Sequence, residues 1–91
     1  MSVKVKFFAY FRELFTVKEK EMALKAGTTV RDVLAVLCDS ADRRFEIFDG
    51  DRLRPHIVVM KNGAGIQSWQ GLETPLDDGD VLSVFPLMGG G

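Results

Sequence analysis

Apolar and charged side chains alternate along Val3-Lys4-Val5-Lys6-Phe7, the period-two pattern of a strand with one face buried and the other wet. The chain therefore opens on a strand. Phe8 to Phe15 is more apolar, with Arg12 and Glu13 inside it, and is expected to turn through a short helical piece or an irregular loop. Val17 to Leu24 mixes Lys with Glu and ends in Met22-Ala23-Leu24, which predicts a second strand antiparallel to the first.

Ala26-Gly27-Thr28-Thr29 supplies a turn and a cap, because a threonine hydroxyl can accept an orphan amide of a first helical turn. Val30, Val33, Leu34 and Leu37 then recur at i, i+3, i+4 and i+7, which lays one apolar stripe against the sheet and leaves Arg31, Asp32 and Asp39 facing away. Asp42 to Phe48 is read as an added helical turn, and Asp49-Gly50-Asp51 as a turn before Pro55. His56 to Lys61 is the next strand, closed by the hairpin dipeptide Asn62-Gly63, with Ile66 to Trp69 returning as a short edge segment. The turn cluster Pro75 to Asp80 leads into a last strand, Val81 to Phe85. This order predicts an α+β fold: a mixed sheet of four to five strands, first and last side by side at its centre, with one principal helix across it.

The chain has 91 residues, enough for one core, and contains no internal repeat or linker. Its 46% hydrophobic and 27% charged residues are those of an ordinary globular protein. Twelve Lys plus Arg against thirteen Asp plus Glu leave a net charge of −1, and no basic run marks a phosphate-binding surface, so nucleic acid is not an expected partner. Cys38 is the lone cysteine, and the first residues lack the apolar stretch of a secretory signal; a cytoplasmic protein is expected. No apolar run approaches the roughly 20 residues that cross a bilayer, so no membrane partner is expected.

After Phe85 the sequence runs Pro86-Leu87-Met88-Gly89-Gly90-Gly91. With glycine at about 7% of average sequence, two terminal glycines arise by chance in roughly one chain in 200, so the ending calls for a reason. A frayed end or a cloning remnant is the bland explanation. The functional one is steric: a carboxylate that must thread a narrow active site benefits from several residues without Cβ. The tail alone leaves both readings open.

Several stretches together carry a resemblance. They are Val5-Lys6-Phe7-Phe8-Ala9 with Arg12-Glu13, Thr29-Val30-Arg31-Asp32-Val33-Leu34, Asn62-Gly63, Thr74-Pro75-Leu76-Asp77-Asp78-Gly79-Asp80-Val81, and Phe85-Pro86 with the terminal glycines. The chain resembles the molybdopterin synthase small subunit and its relatives, the sulfur-carrier branch of the ubiquitin-like β-grasp proteins, over almost its whole length. The family pattern ends Phe-Pro-Pro-Val, a small residue, and Gly-Gly. Counted from Phe85, Leu87 and Met88 stand where that pattern has Pro and Val, Gly89 takes the small-residue position, and Gly90 and Gly91 are the diglycine.

The resemblance implies a β-grasp domain over residues 1–86 and a flexible tail over 87–91. It implies that Gly91 is activated by an ATP-dependent adenylating enzyme of the E1-like kind and converted to a thiocarboxylate. The tail would then enter the large subunit of molybdopterin synthase, where its sulfur helps build the dithiolene of the molybdenum or tungsten cofactor. No cofactor is expected on the chain itself, ATP being used by the activating enzyme, and no catalysis is expected of the chain alone. Phe85, Pro86, Leu87, Met88, Gly89 and Arg12 are the expected partner contacts. Two alternatives use the same activated glycine: conjugation to lysines of target proteins, and sulfur delivery to another pathway such as thiamine or cysteine synthesis.

The remaining candidates read as structural. Cys38 falls within the predicted helix with no base near it in sequence, and free cysteine is often a small buried hydrophobe. His56, the only histidine, has no Cys or Asp partner at a suggestive spacing. Asp77, Asp78 and Asp80 lack the further ligands of a calcium loop and fit turn chemistry, so no metal is expected. Phe7, Phe8, Tyr10, Phe11 and Phe15 are more aromatic surface than one strand can bury against one helix. Most are expected in the core and a surplus is expected to form an apolar docking patch beside the last strand.

Overall fold

The computed structural model describes residues 1–87. The element order is β1 (Ser2–Phe7), α1 (Phe11–Leu14), β2 (Glu19–Ala23), α2 (Val30–Leu37), α3 (Ala41–Ile47), β3 (Phe48–Asp49), β4 (Arg52–Leu53), β5 (Ile57–Lys61), β6 (Ala64–Gly65) and β7 (Val81–Pro86). Five strands form one sheet in the order β2-β1-β7-β5-β6, and β3 and β4 form a separate two-stranded ribbon. As the alternation predicts, β1 runs antiparallel to β2, and β1 and β7 are central neighbours, paired in parallel. β5 is antiparallel to β7 on its other side.

Val3, Val5 and Phe7 of β1, Ile57 and Val59 of β5, and Leu82 and Val84 of β7 all point to one face. Val30, Val33, Leu34 and Leu37 of α2 and Ile47 of α3 join them in a single core, as do Phe11 and Phe15. The α2 stripe is thus the one that periodicity predicts. Its start is a reciprocal cap: the Thr29 hydroxyl accepts the Asp32 N–H, and an Asp32 carboxylate oxygen accepts the Thr29 N–H. Two orphan amides are satisfied at once.

Three features differ from the sequence expectation. The added helical turn is a seven-residue helix, α3, nearly as long as the eight residues of α2, because Ser40 caps it at Arg43 and Ile47 anchors it in the core. Beyond α3 the Asp49-Gly50-Asp51 turn closes the β3–β4 ribbon. The return edge after Asn62-Gly63 is not Ile66 to Trp69. Asn62 and Gly63 both have positive φ (52° and 86°), which is the tight primed turn of a two-residue hairpin, so Ala64 lands directly opposite Lys61. Pairing lasts only through Gly65; Ile66–Ser68 is a 3-10 turn that drops Ile66 into the core.

The aspartate-rich turn before β7 is held by a buried polar cluster. Asp80, 7% exposed, accepts from the Asn62 amide (2.9 Å) and the Asp77 N–H (2.7 Å), and faces the Lys61 ammonium at 3.4 Å. Lys61, 5% exposed, also donates to the Pro75 carbonyl and lies under the Trp69 ring. Asp78 accepts the Ser2 N–H, so the three aspartates serve the turn. Among the described residues no three potential metal ligands gather at one point, and no helix is long and apolar enough to cross a membrane.

Candidate functional site

With the helices packed on one face, the opposite face of the sheet carries no helix among the described residues. Strand alternation places Val58 and Met60 of β5 and Val81, Ser83 and Phe85 of β7 there, beside Lys4 and Lys6 of β1. Register divides the face into two zones. Lys4 stands opposite Glu21 and Lys6 opposite Glu19, so the β1–β2 half is a ladder of complementary charges. Val58 stands opposite Phe85 and Met60 opposite Ser83, so the β5–β7 half is apolar.

The apolar half deepens into a groove of about 500 Å³ lined by Phe8, Ala9, Met60, Ser83, Phe85 and Pro86. Phe8 and Phe85 meet edge to face with centroids 6.0 Å apart, the arrangement ring quadrupoles favour. Ala9 has φ of 56°, a left-handed backbone that turns the chain sharply out of β1 and leaves Phe8 at the groove rather than in the core. Arg12 donates its Nε–H to the Phe7 carbonyl (2.9 Å) and lays its guanidinium over the Phe8 ring (5.5 Å). Among the described residues it has no ion-pair partner, so its charge stands at the groove rim.

The root of the tail is at one end of this groove. Pro86 ends β7 with its side chain buried, and Leu87, 63% exposed, donates its N–H to the His56 carbonyl. Of the expected contacts, Phe85, Pro86 and Arg12 therefore come together around the groove, and Leu87 follows at its end. Met88, Gly89, Gly90 and Gly91 lie outside the described residues. Of the aromatic cluster, Phe7, Phe11 and Phe15 are core; Phe8 and Tyr10 are the exposed surplus.

Sequence reasoning missed Met60 and Ser83, which reach the groove only through β5–β7 register, and the pairing of the Tyr10 hydroxyl with His56 Nε2 (3.4 Å) at the tail root. Cys38 is the C-terminal cap of α2 and is 2% exposed. Burial pushes its thiol up to about 11 against the lowering pull of Arg44 and Arg43, so it is a protonated core residue at neutral pH.

A five-stranded sheet crossed by helices, with an apolar groove ending where a glycine tail begins, can be compared with known proteins. Small archaeal modifier protein 3 of Haloferax volcanii is 37% identical, with both chains covered completely. The solution structure of small archaeal modifier protein 1 from Methanosarcina acetivorans superposes with a TM-score of 0.80 at 35% identity, covering 99% of this chain and 96% of that one. A Pyrococcus furiosus protein that carries the name of molybdopterin converting factor subunit 1 superposes with a TM-score of 0.72 at 33% identity, covering 94% and 97%. Residues 5–91 match the ThiS family. The chain has the ubiquitin-like β-grasp fold and belongs to the ThiS family of sulfur carriers and modifiers.

Proposed function

We propose that the chain is a sulfur carrier for molybdopterin or tungstopterin synthesis, with Gly91 as the reacting residue and the open-face groove as the seat of its partner enzymes. The observation that carries this reading is the meeting of the groove with the root of the tail at Phe85, Pro86 and Leu87. A partner seated on Phe8, Met60 and Phe85 receives the tail at a fixed offset, with Arg12 available to an acidic group on its rim. Gly89 and Gly90 then pass where side chains would obstruct.

The chemistry balances in two displacements. The Gly91 carboxylate attacks the α-phosphorus of ATP on an E1-like adenylating enzyme, and pyrophosphate leaves. Sulfide-level sulfur then attacks the acyl carbon of the adenylate and displaces AMP, which leaves a thiocarboxylate. In the large subunit of molybdopterin synthase the thiocarboxylate sulfur displaces an oxygen leaving group from a carbon of the pterin precursor. Water then cleaves the acyl–sulfur bond, which leaves the sulfur on the product and restores the Gly91 carboxylate. ATP is bound by the activating enzyme, and the carrier needs no cofactor of its own.

The 37% identity to a small archaeal modifier protein favours a second reading on the same site. There the ε-amine of a target lysine attacks the acyl carbon of the adenylate, AMP leaves, and an isopeptide bond joins Gly91 to the lysine. Intact-mass and digest mass spectrometry of the chain incubated with its adenylating enzyme, ATP, a sulfur donor and cell extract separates the two. The carrier reading expects an oxygen-to-sulfur exchange at the carboxyl terminus. Branched Gly-Gly peptides on target lysines without that exchange favour the modifier, and persistent free carboxylate beside a competent activator refutes both.

A further inference from the structure

The groove accounts for holding a partner and leaves open what aims the tail. The Leu87 N–H bond to the His56 carbonyl, 2.6 Å, extends the register in which Ile57 stands opposite Pro86. Hydrogen-bonded and non-bonded pairs alternate along an antiparallel ladder, so Pro86 occupies a non-bonded pair with β5. Its missing N–H faces the β1 side, where β1 has already ended at Phe7, and nothing is lost there. The His56 carbonyl is thus the last main-chain anchor of β7 among the described residues.

His56 is held in turn by its side chain, whose Nε2 lies 3.4 Å from the Tyr10 hydroxyl. Tyr10 is well fixed. Its carbonyl accepts the N–H groups of Glu13 and Leu14, and its ring meets the buried Phe11 ring edge to face, centroids 4.6 Å apart. The left-handed turn at Ala9 is what brings Tyr10 round from β1 to this position.

We propose that Tyr10 and His56 are a positioning pair that aims the carboxyl-terminal tail: the Tyr10 hydroxyl holds the His56 ring, and the His56 carbonyl holds Leu87 at the point of departure. This rests on the reading of the tail as the reacting segment. Neither residue touches the reacting atoms; both act through the direction in which residue 87 leaves the sheet.

Tyr10→Phe keeps the ring against Phe11 and removes only the hydroxyl, His56→Ala removes the imidazole, and His56→Gln returns an acceptor near the place of Nε2. Two readouts are compared on the full chain: amide hydrogen exchange at Leu87 by NMR, and steady-state pyrophosphate release with the adenylating enzyme of the same organism. Tyr10→Phe and His56→Ala are expected to speed Leu87 exchange about two- to tenfold, the range one hydrogen bond supports, with the amides of Val5 and Leu82 unchanged. The kcat of adenylation falls by a similar factor at constant KM, because the groove side chains are untouched, and His56→Gln restores both readouts. Unchanged Leu87 exchange overturns the proposal, as does equal acceleration at Val5 and Leu82, which would mark a general loss of stability. A raised KM at constant kcat also overturns it and makes the pair a contact with the enzyme. A wild-type chain that the adenylating enzyme never activates sinks the proposed function instead, and Leu87 exchange then still decides whether the pair holds the tail root.

Discussion

Asp80→Ala removes the centre of the polar cluster that joins the end of β5 to the start of β7. The variant loses the contacts to Asn62, to the Asp77 N–H and to the Lys61 ammonium, and leaves Lys61 buried at 5% exposure. Lys61 retains the Pro75 carbonyl at 3.1 Å, the Trp69 ring at 4.4 Å and the Asp77 carboxylate at 3.8 Å. Deleting one partner of a buried pair typically costs about 3 to 5 kcal/mol; because the exposed Asp77 can close on Lys61, we expect about 2 to 4 kcal/mol here. Urea unfolding followed by fluorescence measures it, since Trp69 is the only tryptophan and sits on the cluster.

The pH dependence has a definite sign. Burial raises the Asp80 carboxyl, but the Asp77 N–H, the Asn62 amide and Lys61 outweigh it and hold it below the ordinary 3.8. A carboxyl depressed on folding stabilises the fold above its unfolded pKa and loses that contribution as pH falls through its folded value. The gap between wild type and Asp80→Ala should therefore hold from neutrality to about pH 4 and shrink below it. A destabilisation under about 1 kcal/mol at pH 7, or a gap that widens in acid, refutes the assignment of Asp80 as the charged centre of this cluster.

Three further outcomes are expected. Leu34→Ala, at a position with no exposed surface, should cost about 2 to 5 kcal/mol in the same assay, and a value under about 0.5 would contradict its place in the core. Cys38 should resist alkylation by iodoacetamide at pH 8 in the native protein and react fully in denaturant, its thiol standing at about 11 when folded. In the tail, Gly89→Ala should be nearly silent, whereas Gly90→Ala and deletion of Gly91, which shortens the reach by about 3.3 to 3.6 Å, should abolish activation without moving the thermal melt. Full activity of the Gly91 deletion with a dead Gly89→Ala would shift the reactive pair to Gly89 and Gly90.

The legible parts of the fold are those governed by local periodicity. Alternation in Val3 to Phe7 and the i, i+3, i+4, i+7 stripe of Val30 to Leu37 each require one buried face whatever the rest of the chain does, and both appear in place. Asn62-Gly63 was readable because few residues other than Asn and Gly adopt two successive positive φ values. The β3–β4 ribbon and the short β6 were not. Strands of two residues carry no period, and their pairing depends on where α3 and the 3-10 turn at Ile66 dock. In the candidate site, Phe85, Pro86 and Arg12 could be singled out because they stand in recognisable stretches. Met60 and Ser83 stand in none.

By itself the sequence determined the family, through short stretches along its length, and the main helix and the first and last strands, because each is written in residues close together along the chain. Tertiary structure decided which side of the sheet stays bare and what gathers there. The register of β5 against β7 sets Met60 beside Ser83 and Val58 beside Phe85, and a shift of β5 by one residue would turn Val58 and Met60 toward the core. It also decided that Tyr10 meets His56 across a separation of 46 residues and that the His56 carbonyl receives Leu87. Such contacts depend on the packing of helices against the far face, which sets the positions of residues that no local pattern links.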